Sequence, residues 1–439
     1  MATEPANDPA RCPDPARRPD PARSIDAVWR IESARIVGAV ARIVRDIGLA
    51  EEIAQDALVS ALEHWPKDGV PDNPGAWLMT AARNKALDRL RQAATHRERE
   101  QELGADADAR GDHVVPDFVD ALDAARADDI GDDLLRLIFT ACHPVLSKDA
   151  QVALTLKLLG GLATDEIARA FFVPEPTIAQ RIVRAKRTLG AARVPFEVPD
   201  GAARAERLAA VLEVVYLIFN EGYSATAGRD WMRTALCDEA LRLARMLAQL
   251  APAEAEAHAL AALLEIQASR QRARTDASGA PILLMDQDRS RWDPLLIRRG
   301  LASLERADAL GGERGPYALQ AAIAACHARA RTPEATDWAQ IVALYDALAA
   351  RVPSPVVELN RAVAVGMAFG PNAALPLVDA LQSEPTLARS HLLPAVRGDL
   401  LARLGRGDEA RRAFETAAAL TRNEREREVL LGRARATLN

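Results

Sequence analysis

The chain has 439 residues, of which 49% are hydrophobic and 27% are charged, and this balance predicts a soluble globular protein of two to four domains. Its formal net charge of −6 excludes a generally basic surface, so any surface that binds nucleic acid must be local. The four cysteines lie far apart, which predicts no zinc site, no disulfide framework and a reducing cytoplasm, and no apolar run approaches membrane-spanning length.

The composition favours helices over sheets. Aromatic residues make up only 4% of the chain, while Ala, Leu and Arg dominate, and such a composition suits helices that pack through small side chains. The predicted fold class is therefore all-α. Residues 1–23 are the exception, because they repeat Asp-Pro-Ala-Arg from Asp8, Asp14 and Asp20. That proline density predicts a disordered N-terminal tail.

Residues 24–95 have the pattern of a bundle of three helices. Ser24 is placed to cap the first helix, and the second, over residues 48–62, turns Ile53 towards the core. The outer face of the second helix is predicted to be acidic and polar. It carries Glu51, Glu52, Gln55 and Asp56.

The third helix of this bundle, over residues 75–92, has an apolar and a polar side. Its apolar side is predicted to bury Leu78, Ala82, Leu87 and Leu90. Its polar side, next to Trp77, carries Arg83, Asn84, Lys85, Asp88, Arg89 and Arg91. Such a set can hold backbone phosphates and hydrogen-bond a base that has left the stack of a melted strand. The pattern also fits an ordinary bundle with solvated charges, in which Trp77 belongs to the core.

An acidic stretch follows this bundle. From Glu102 to Asp133 there are eleven acidic residues and two arginines, a net charge of −9. Apolar residues are sparse in it, which predicts a solvated tether over residues 96–132 with only short helix. A negative tether would also avoid non-specific contact with DNA.

Residues 133–192 have the pattern of a helix-turn-helix. Thr164 is predicted to cap one helix, Val173-Pro174 to end it, and Pro176 to lie in the first turn of the next. Ile178 and Ile182 mark the buried side of this second helix. Its opposite face carries Thr177, Gln180, Arg181, Arg184 and Arg187.

That basic face suits DNA. Phosphates attract its cations, and a helix of this kind fits the major groove, where Arg and Gln read base edges. The alternative is an ordinary helical hairpin with a solvated charged face. In the helix before it, Leu134, Leu135, Leu137, Ile138 and Phe139 are expected to pack behind the motif. Cys142 and His143 form no metal-ligand set, and structural burial is expected for them.

Residues 200–439 are predicted to be helical throughout. The last helices recur near the spacing of tetratricopeptide (TPR) repeats, and residues 401–415 have the small-residue packing pattern of that repeat. A TPR-like α-solenoid is therefore expected. Its eleven predicted helices are Arg204–Phe219, Trp231–Leu250, Ala253–Arg270, Pro294–Ala307, Tyr317–Arg329, Trp338–Ala350, Pro355–Met367, Ala373–Gln382, Ser390–Leu404, Asp408–Leu420 and Asn423–Ala436.

Residues 24–95 and 133–192 resemble, in their motifs and in the order of these motifs, a bacterial RNA polymerase sigma factor of the extracytoplasmic-function (ECF) type. The string Ala50-Glu51-Glu52-x-x-Gln55-Asp56 resembles the region 2 surface that docks on the polymerase, and residues 77–91 resemble the −10 reading helix. Residues 161–187 resemble region 4, which reads the −35 element. The resemblance implies a sigma region 2 bundle over residues 24–95 and a region 4 domain over residues 133–192.

The same resemblance assigns roles to residues and names partners. The partners it implies are core RNA polymerase and promoter DNA, with no cofactor, no metal and no membrane, in a cytoplasmic, nucleoid-associated protein that is not an enzyme. Core polymerase would contact Glu51, Glu52, Gln55 and Asp56. The −10 element would contact Arg83, Asn84, Lys85, Asp88 and Arg91. The −35 element would contact Thr177, Gln180, Arg181, Arg184 and Arg187.

The long C-terminal part resembles that of the sigma subgroup called ECF forty-two, as does the string from Val215 to Tyr223. This implies a C-terminal helical domain that modulates activity, with a possible intramolecular contact to the sigma domains. Two polar clusters, 220–223 and 286–289, fit either an interdomain latch or ligand site, or helix caps and turns.

Two other function classes remain open from the sequence. One is a stand-alone helix-turn-helix regulator with a TPR sensor domain, which would bind duplex operators without polymerase. The other is a metal-dependent helical hydrolase that uses Glu221, Asp286 and Asp288.

Overall fold

The computed structural model describes residues 21–102, 130–171, 173–225 and 231–437. Over these ranges it contains eighteen α-helices, short 3-10 turns and no β-strand. The predicted all-α fold is confirmed. The chain divides into two compact units, Met1–Leu137 and Ile138–Asn439.

The first unit is built on three long helices, α1 (Pro21–Val44), α2 (Ile47–Asp68) and α3 (Pro74–Glu102), which pack against one another. The Asp46 carboxylate caps α2 by accepting a hydrogen bond of 2.7 Å from the Leu49 N–H, and the Asn73 side chain accepts one from the Ala76 N–H at the start of α3. These caps replace the partners that first-turn N–H groups lack. Fully buried core residues include Ile36, Ile43, Ile53, Trp65 and Leu78.

Two boundaries in this unit differ from the prediction. Helix α1 begins at Pro21, since proline is well tolerated in a first turn, so the predicted disorder of residues 21–23 is wrong. Helix α3 continues to Glu102, because residues 93–102 consist mostly of good helix formers and contain no breaker. The predicted tail up to residue 20 and the acidic tether over residues 103–129 lie outside the described residues.

Helix α4 (Ile130–Ala141) starts within the first unit. The Asp133 carboxylate is buried there, 3.2 Å from the Arg42 guanidinium of α1 and 2.9 Å from that of Arg136. A side chain on Gly38 would meet the Asp133 carbonyl oxygen at 3.1 Å. The first turn of α4 therefore packs closely on α1, held by a buried ion pair.

The second unit begins with the helix-turn-helix, formed by α5 (Lys148–Leu158), α6 (Thr164–Phe171) and α7 (Glu175–Ala191). The Ser147 hydroxyl caps α5, and Gly161 takes the positive φ of 64° that the turn before α6 requires. The predicted cap at Thr164 is wrong by one residue. Thr164 is the first residue of α6, and the Glu166 carboxylate reaches back to the Ala163 N–H at 2.8 Å.

All eleven helices predicted beyond residue 200 are present, with ends within four residues of the predicted ones. Proline opens several of them, at Pro294, Pro316, Pro355 and Pro371, where its missing N–H costs nothing. They are α8 (Gly201–Tyr223), α9 (Thr234–Leu250), α10 (Ala255–Ala268), α11 (Pro294–Ala309), α12 (Pro316–Arg329), α13 (Trp338–Arg351), α14 (Pro355–Ala368), α15 (Pro371–Ala380), α16 (Leu392–Arg403), α17 (Gly407–Leu420) and α18 (Glu424–Ala436).

These helices pack mainly against their neighbours in sequence, which fits an α-solenoid. Small residues allow the close approaches: a side chain on Gly398 would meet the Phe414 ring at 2.9 Å. The two ends of the array are also tied together. The Asn423 amide donates a 3.2 Å hydrogen bond to the Ala225 carbonyl just after α8, and Arg425 donates one to Ser278.

Candidate nucleic-acid interface

Helix α7 separates its two sides as predicted. Ile178 and Ile182 are buried, together with Ala185 and Leu189, because these residues recur every three or four positions. Thr177, Gln180, Arg184 and Arg187 are all exposed, and the same spacing places them in one stripe on the opposite side. The helix therefore presents a mainly polar and basic face of the kind that enters a major groove.

Val183 belongs to this face and was missed in the sequence analysis. Its side chain is 54% exposed and lies one helical turn from both Gln180 and Arg187. An exposed apolar residue within a basic stripe is the only signal for it in the sequence. Such a side chain can contact the methyl group of thymine.

Arg181 differs from the other predicted −35 contacts. Its side chain is 28% exposed, and its guanidinium lies 3.2 Å from the Asp149 carboxylate in the first turn of α5. The two residues line a groove of about 430 Å³ between α5 and α7, together with Thr177 and Gln180. Asp149 thus holds Arg181 at the edge of the exposed face, an arrangement that spans 32 residues of sequence and leaves no local signal.

On helix α3, Asn84, Asp88 and Arg91 are exposed, whereas Arg83 and Lys85 are half-buried. Arg91 and Asp88 pair at 3.1 Å along the helix. Leu78, Ala82 and Leu90 are buried as predicted, but Leu87 is only half-buried and Ala86 takes the core position instead. Asn84, Asp88 and Arg91 therefore lie on one side of the middle of α3.

Trp77 is neither fully buried, as a core residue would be, nor fully exposed on the polar side of α3. It is half-buried, and its ring packs edge-on against the fully buried Trp65 of α2 at a centroid distance of 5.5 Å. The exposed His64 ring lies 6.4 Å away on the same side. Trp77 therefore anchors the start of α3 to the core while part of its ring faces solvent.

The predicted acidic face of α2 needs one correction. Glu51 is only 6% exposed and accepts a 3.0 Å hydrogen bond from the Gln55 amide, so its predicted place on the outer face is wrong. Helical spacing explains this, because Glu51 lies on the same side as the buried Ile47 and Ala54. Glu52 and Gln55 are exposed and Asp56 is half-buried; Glu52 lies 3.9 Å from Arg89 of α3.

Comparison with known proteins identifies these two helical blocks. Residues 30–95 match the family profile described as Sigma-70 region 2, and residues 136–189 match Sigma-70, region 4. Over 160 residues the chain is 32% identical to the ECF RNA polymerase sigma factor SigK of Mycobacterium ulcerans, covering 35% of this chain and 78% of SigK. The chain belongs to the ECF RNA polymerase sigma factors. A role in transcription initiation follows from this membership.

Two further similarities place this ECF sigma factor among its relatives. A probable ECF RNA polymerase sigma factor, SigI of Mycobacterium tuberculosis, is 32% identical over 174 residues, which cover 40% of this chain and 57% of SigI. An uncharacterized protein of Rhizobium meliloti is 47% identical over 392 residues, covering 89% of this chain and 90% of that protein. Residues 207–308 match a family of unknown function, DUF6596.

In this ECF sigma factor the polar cluster 220–223 lies where α8 approaches the helix-turn-helix. The Arg233 guanidinium, just before α9, pairs with the Glu221 carboxylate and donates to the Ala170 carbonyl at the end of α6. Gly222 permits the approach, because a side chain there would meet the Arg233 carbonyl oxygen at 2.9 Å. Arg242 of α9 donates to the Leu159 carbonyl, which follows α5. Both arginines therefore bind carbonyl groups at the ends of region 4 helices.

The second polar cluster, 286–289, contains a cap and a bridging arginine. Asp288 caps a short 3-10 turn by accepting hydrogen bonds from the Ser290 N–H and hydroxyl. Arg289 donates to the carbonyls of His327 and Ala330 at the end of α12, at 2.8 and 2.7 Å. The cluster thus joins two inter-helix connections of the C-terminal part.

The groups considered for a hydrolase do not converge. Glu221 pairs with Arg233, whereas the Asp288 carboxylate accepts a hydrogen bond from the Ser290 N–H in its own 3-10 turn. No His, Cys, Asp or Glu cluster suited to a metal occurs in the described part of the chain. Cys142 is buried as predicted, and burial raises the pKa of its thiol to about 11. None of the described helices is long and apolar enough to span a bilayer.

Proposed function

We propose that this ECF sigma factor directs core RNA polymerase to promoters by reading the −35 element with α7 and the −10 element with α3. It performs no chemistry of its own, because polymerisation belongs to the enzyme it joins. The observation that carries the proposal is the match to region 2 followed by region 4, with an exposed basic face on the second helix of the region 4 motif. A stand-alone regulator would give the region 2 bundle no role.

For the −35 element, we assign the direct contacts to the exposed stripe of α7. Thr177 and Gln180 lie near its N-terminus, the end that faces base edges in helix-turn-helix complexes, while Arg184 and Arg187 are placed for phosphates or guanine. Val183 would contact a thymine methyl group. Arg181 joins this set from the edge, where release from Asp149 would free its guanidinium for a phosphate.

For the −10 element, we assign Asn84, Asp88 and Arg91 to direct contact, because these side chains are exposed on one side of α3. Arg83 and Lys85 keep supporting roles in phosphate attraction, since they are half-buried. A carboxylate and an amide next to a guanidinium can hydrogen-bond the edge of an unstacked base. The exposed part of Trp77 offers a surface on which a base can stack.

For core polymerase, we assign the contact to Glu52, Gln55 and Asp56. Glu51 is reassigned to a supporting role, because its buried carboxylate receives the Gln55 amide and so orients that side chain. Exposed acidic residues on a rigid helix give electrostatic complementarity to a basic partner surface, which raises association rates and specificity.

We further propose that the C-terminal helical domain modulates activity by supporting region 4 directly. Arg233 and Arg242 donate to carbonyls at the C-terminal ends of two region 4 helices. A cation at this end also interacts favourably with the helix dipole. Lys148, at the start of α5, lies 2.6 Å from Glu213 of α8. A domain held at three points can fix the position from which α7 meets DNA.

Size-exclusion chromatography with purified core polymerase, followed by binding assays on duplex DNA, tests this proposal. We expect the protein to co-elute with core polymerase, and the complex to bind promoter DNA more tightly than the protein alone. A protein that ignores the polymerase and binds duplex operators by itself would instead be the stand-alone regulator.

A further inference from the structure

Three arginines lie close together in the C-terminal part, within the segment that matches the family of unknown function. Arg270 and Arg274 are each 9% exposed, and Arg289 is half-buried. Aromatic rings join them. The Arg274 guanidinium lies 3.4 Å from the centre of the Tyr223 ring, while Arg270 and Arg289 lie 5.7 and 5.0 Å from that of Trp292.

No carboxylate neutralises this cluster. Among the described residues, none of the three guanidinium groups has an Asp or Glu oxygen within ion-pair distance; the exposed Glu334 is the acid whose charge reaches Arg289. Burial first, and then the charge of Arg270, lower the pKa of both Arg274 and Arg289. Buried charges are normally paired, so the cluster lacks a negative partner.

The cluster also contains donors without acceptors. The Nε atoms of Arg270 and Arg289 and the indole Nε1 of Trp292 are buried without a hydrogen-bond partner. Buried donors are rarely left unsatisfied in folded proteins, and each such case calls for an explanation. The other donors of the three guanidinium groups reach neutral acceptors only. The three unsatisfied donors and the missing negative charge together favour an anion as a further partner.

A groove lies next to this cluster, and Trp292 belongs to both. It has a volume of about 550 Å³ and is lined by Arg272, Ser290, Arg291, Trp292, Asp293 and Pro294. Trp292 forms part of its wall and is the ring against which Arg270 and Arg289 lie. Arg272 and Arg291 are exposed. The Asp293 carboxylate is already used, since it accepts hydrogen bonds from the Leu295 and Leu296 N–H groups.

We propose that this groove binds a small polyanion, a phosphorylated or polycarboxylated metabolite, through Arg272 and Arg291, which line it, while Arg270 and Arg289 behind Trp292 add positive potential. A guanidinium presents parallel N–H donors that match the oxygens of phosphate and carboxylate groups. The groove has the size of small-molecule sites. None of the groove residues belongs to α3 or α7, so the proposal goes beyond promoter recognition and does not depend on it.

Calorimetry and tryptophan fluorescence on the full-length protein test the site, with pyrophosphate and citrate as probes and sodium chloride at equal ionic strength as the reference. The groove variant combines Arg272→Gln with Arg291→Gln, both exposed positions at which folding should persist. The matched control combines Arg389→Gln with Arg412→Gln, which removes two exposed arginines that do not line the groove. Neither polymerase nor DNA is present, so the result is independent of the promoter proposal.

We expect wild-type protein to bind at least one probe, with a rise in melting temperature and a change in tryptophan emission. Tighter binding of pyrophosphate would identify a phosphorylated ligand, and tighter binding of citrate a polycarboxylated one. The groove variant should bind at least tenfold more weakly, and the control variant within twofold of wild type. The proposal is overturned if neither probe acts beyond chloride, or if the groove variant binds like wild type.

Discussion

Arg233 donates a hydrogen bond to the Ala170 carbonyl, 63 residues earlier in the chain. The bond joins the connection between α8 and α9 to α6, the helix that precedes α7 in region 4. The same guanidinium pairs with Glu221, and both side chains are largely buried. Arg233 therefore joins region 4 to the C-terminal extension through a largely buried polar contact.

Replacing this arginine should loosen region 4. Arg233→Ala leaves Glu221 without this cation and the Ala170 carbonyl without this donor. Loss of a hydrogen bond to a charged group in a buried setting costs about 1–3 kcal/mol. We expect a loss of this size in the free energy of unfolding of the second unit, measured by chemical denaturation. Arg314→Ala, which breaks an ion pair to Asp308 with both side chains partly exposed, should cost less than about 1 kcal/mol. Equal losses for the two variants would refute a special role for Arg233.

The exposed stripe of α7 gives the second prediction. Arg184→Ala combined with Arg187→Ala should weaken binding of the polymerase complex to −35 DNA. If both residues contact phosphates, the slope of log affinity against log salt should fall by about 2. Electrophoretic mobility shifts over a salt series measure both effects. Arg412→Ala removes an exposed arginine far along the chain and should change neither. An unchanged salt slope in the double variant would exclude phosphate contacts by this pair.

The acidic face of α2 gives the third prediction, which distinguishes the exposed Glu52 from the buried Glu51. Glu52→Arg with Asp56→Arg reverses the charge of the exposed face and should weaken binding to core polymerase without unfolding the bundle, because neither side chain is buried. Glu63→Arg, also exposed on α2, is the matched control. A pull-down with core polymerase that shows equal affinity for all three proteins would reject this surface.

Glu51 should behave in the opposite way, because its side chain is buried. Glu51→Ala removes the acceptor of the Gln55 amide and should lower the free energy of unfolding by about 1–3 kcal/mol. Thermal and chemical denaturation of the variant beside Glu52→Ala measures this. A Glu51 variant as stable as the Glu52 variant would show that the buried carboxylate contributes nothing.

His327 gives the fourth prediction, a dependence of stability on pH. Burial, followed by the charges of Arg270 and Arg289, lowers the pKa of His327 from 6.5 to about 4. Between pH 4 and pH 6.5 the unfolded chain binds a proton at His327 that the folded chain does not. The contribution of neutral His327 to the free energy of unfolding is therefore complete above pH 6.5 and is lost as the pH falls towards 4. The loss is roughly 3 kcal/mol.

Denaturation of wild type and His327→Gln between pH 7 and pH 4 measures that contribution. The variant should lose less stability than wild type over this range, whereas His64→Gln, at an exposed position of the first unit, should follow wild type. Parallel curves for wild type and His327→Gln would contradict the account.

Local patterns predicted much of this molecule. The spacing of Ile178 and Ile182 fixes which side of α7 is buried, and the same argument places its exposed residues. Proline and glycine mark most helix ends in the C-terminal part, so all eleven helices there could be found. Such features depend only on residues within one or two helical turns.

Features that depend on the packing of distant segments could not be predicted. The pattern around Glu51 shows acidic residues in a row, but only the position of Ile47 and Ala54 on the core side reveals that Glu51 turns inward. The pairing of Arg181 with Asp149 joins two different helices. The arginine cluster is assembled from the end of α8, the connection after α10 and the turn before α11, and none of these segments alone suggests an anion site.

Run-off transcription with purified core polymerase tests the central claim most directly, on a template carrying a promoter selected by the complex. The account predicts initiation that requires this protein and falls at least tenfold when Arg184 and Arg187 are both replaced by alanine, while Arg412→Ala initiates like wild type. Core polymerase that initiates equally well with and without the protein would contradict it.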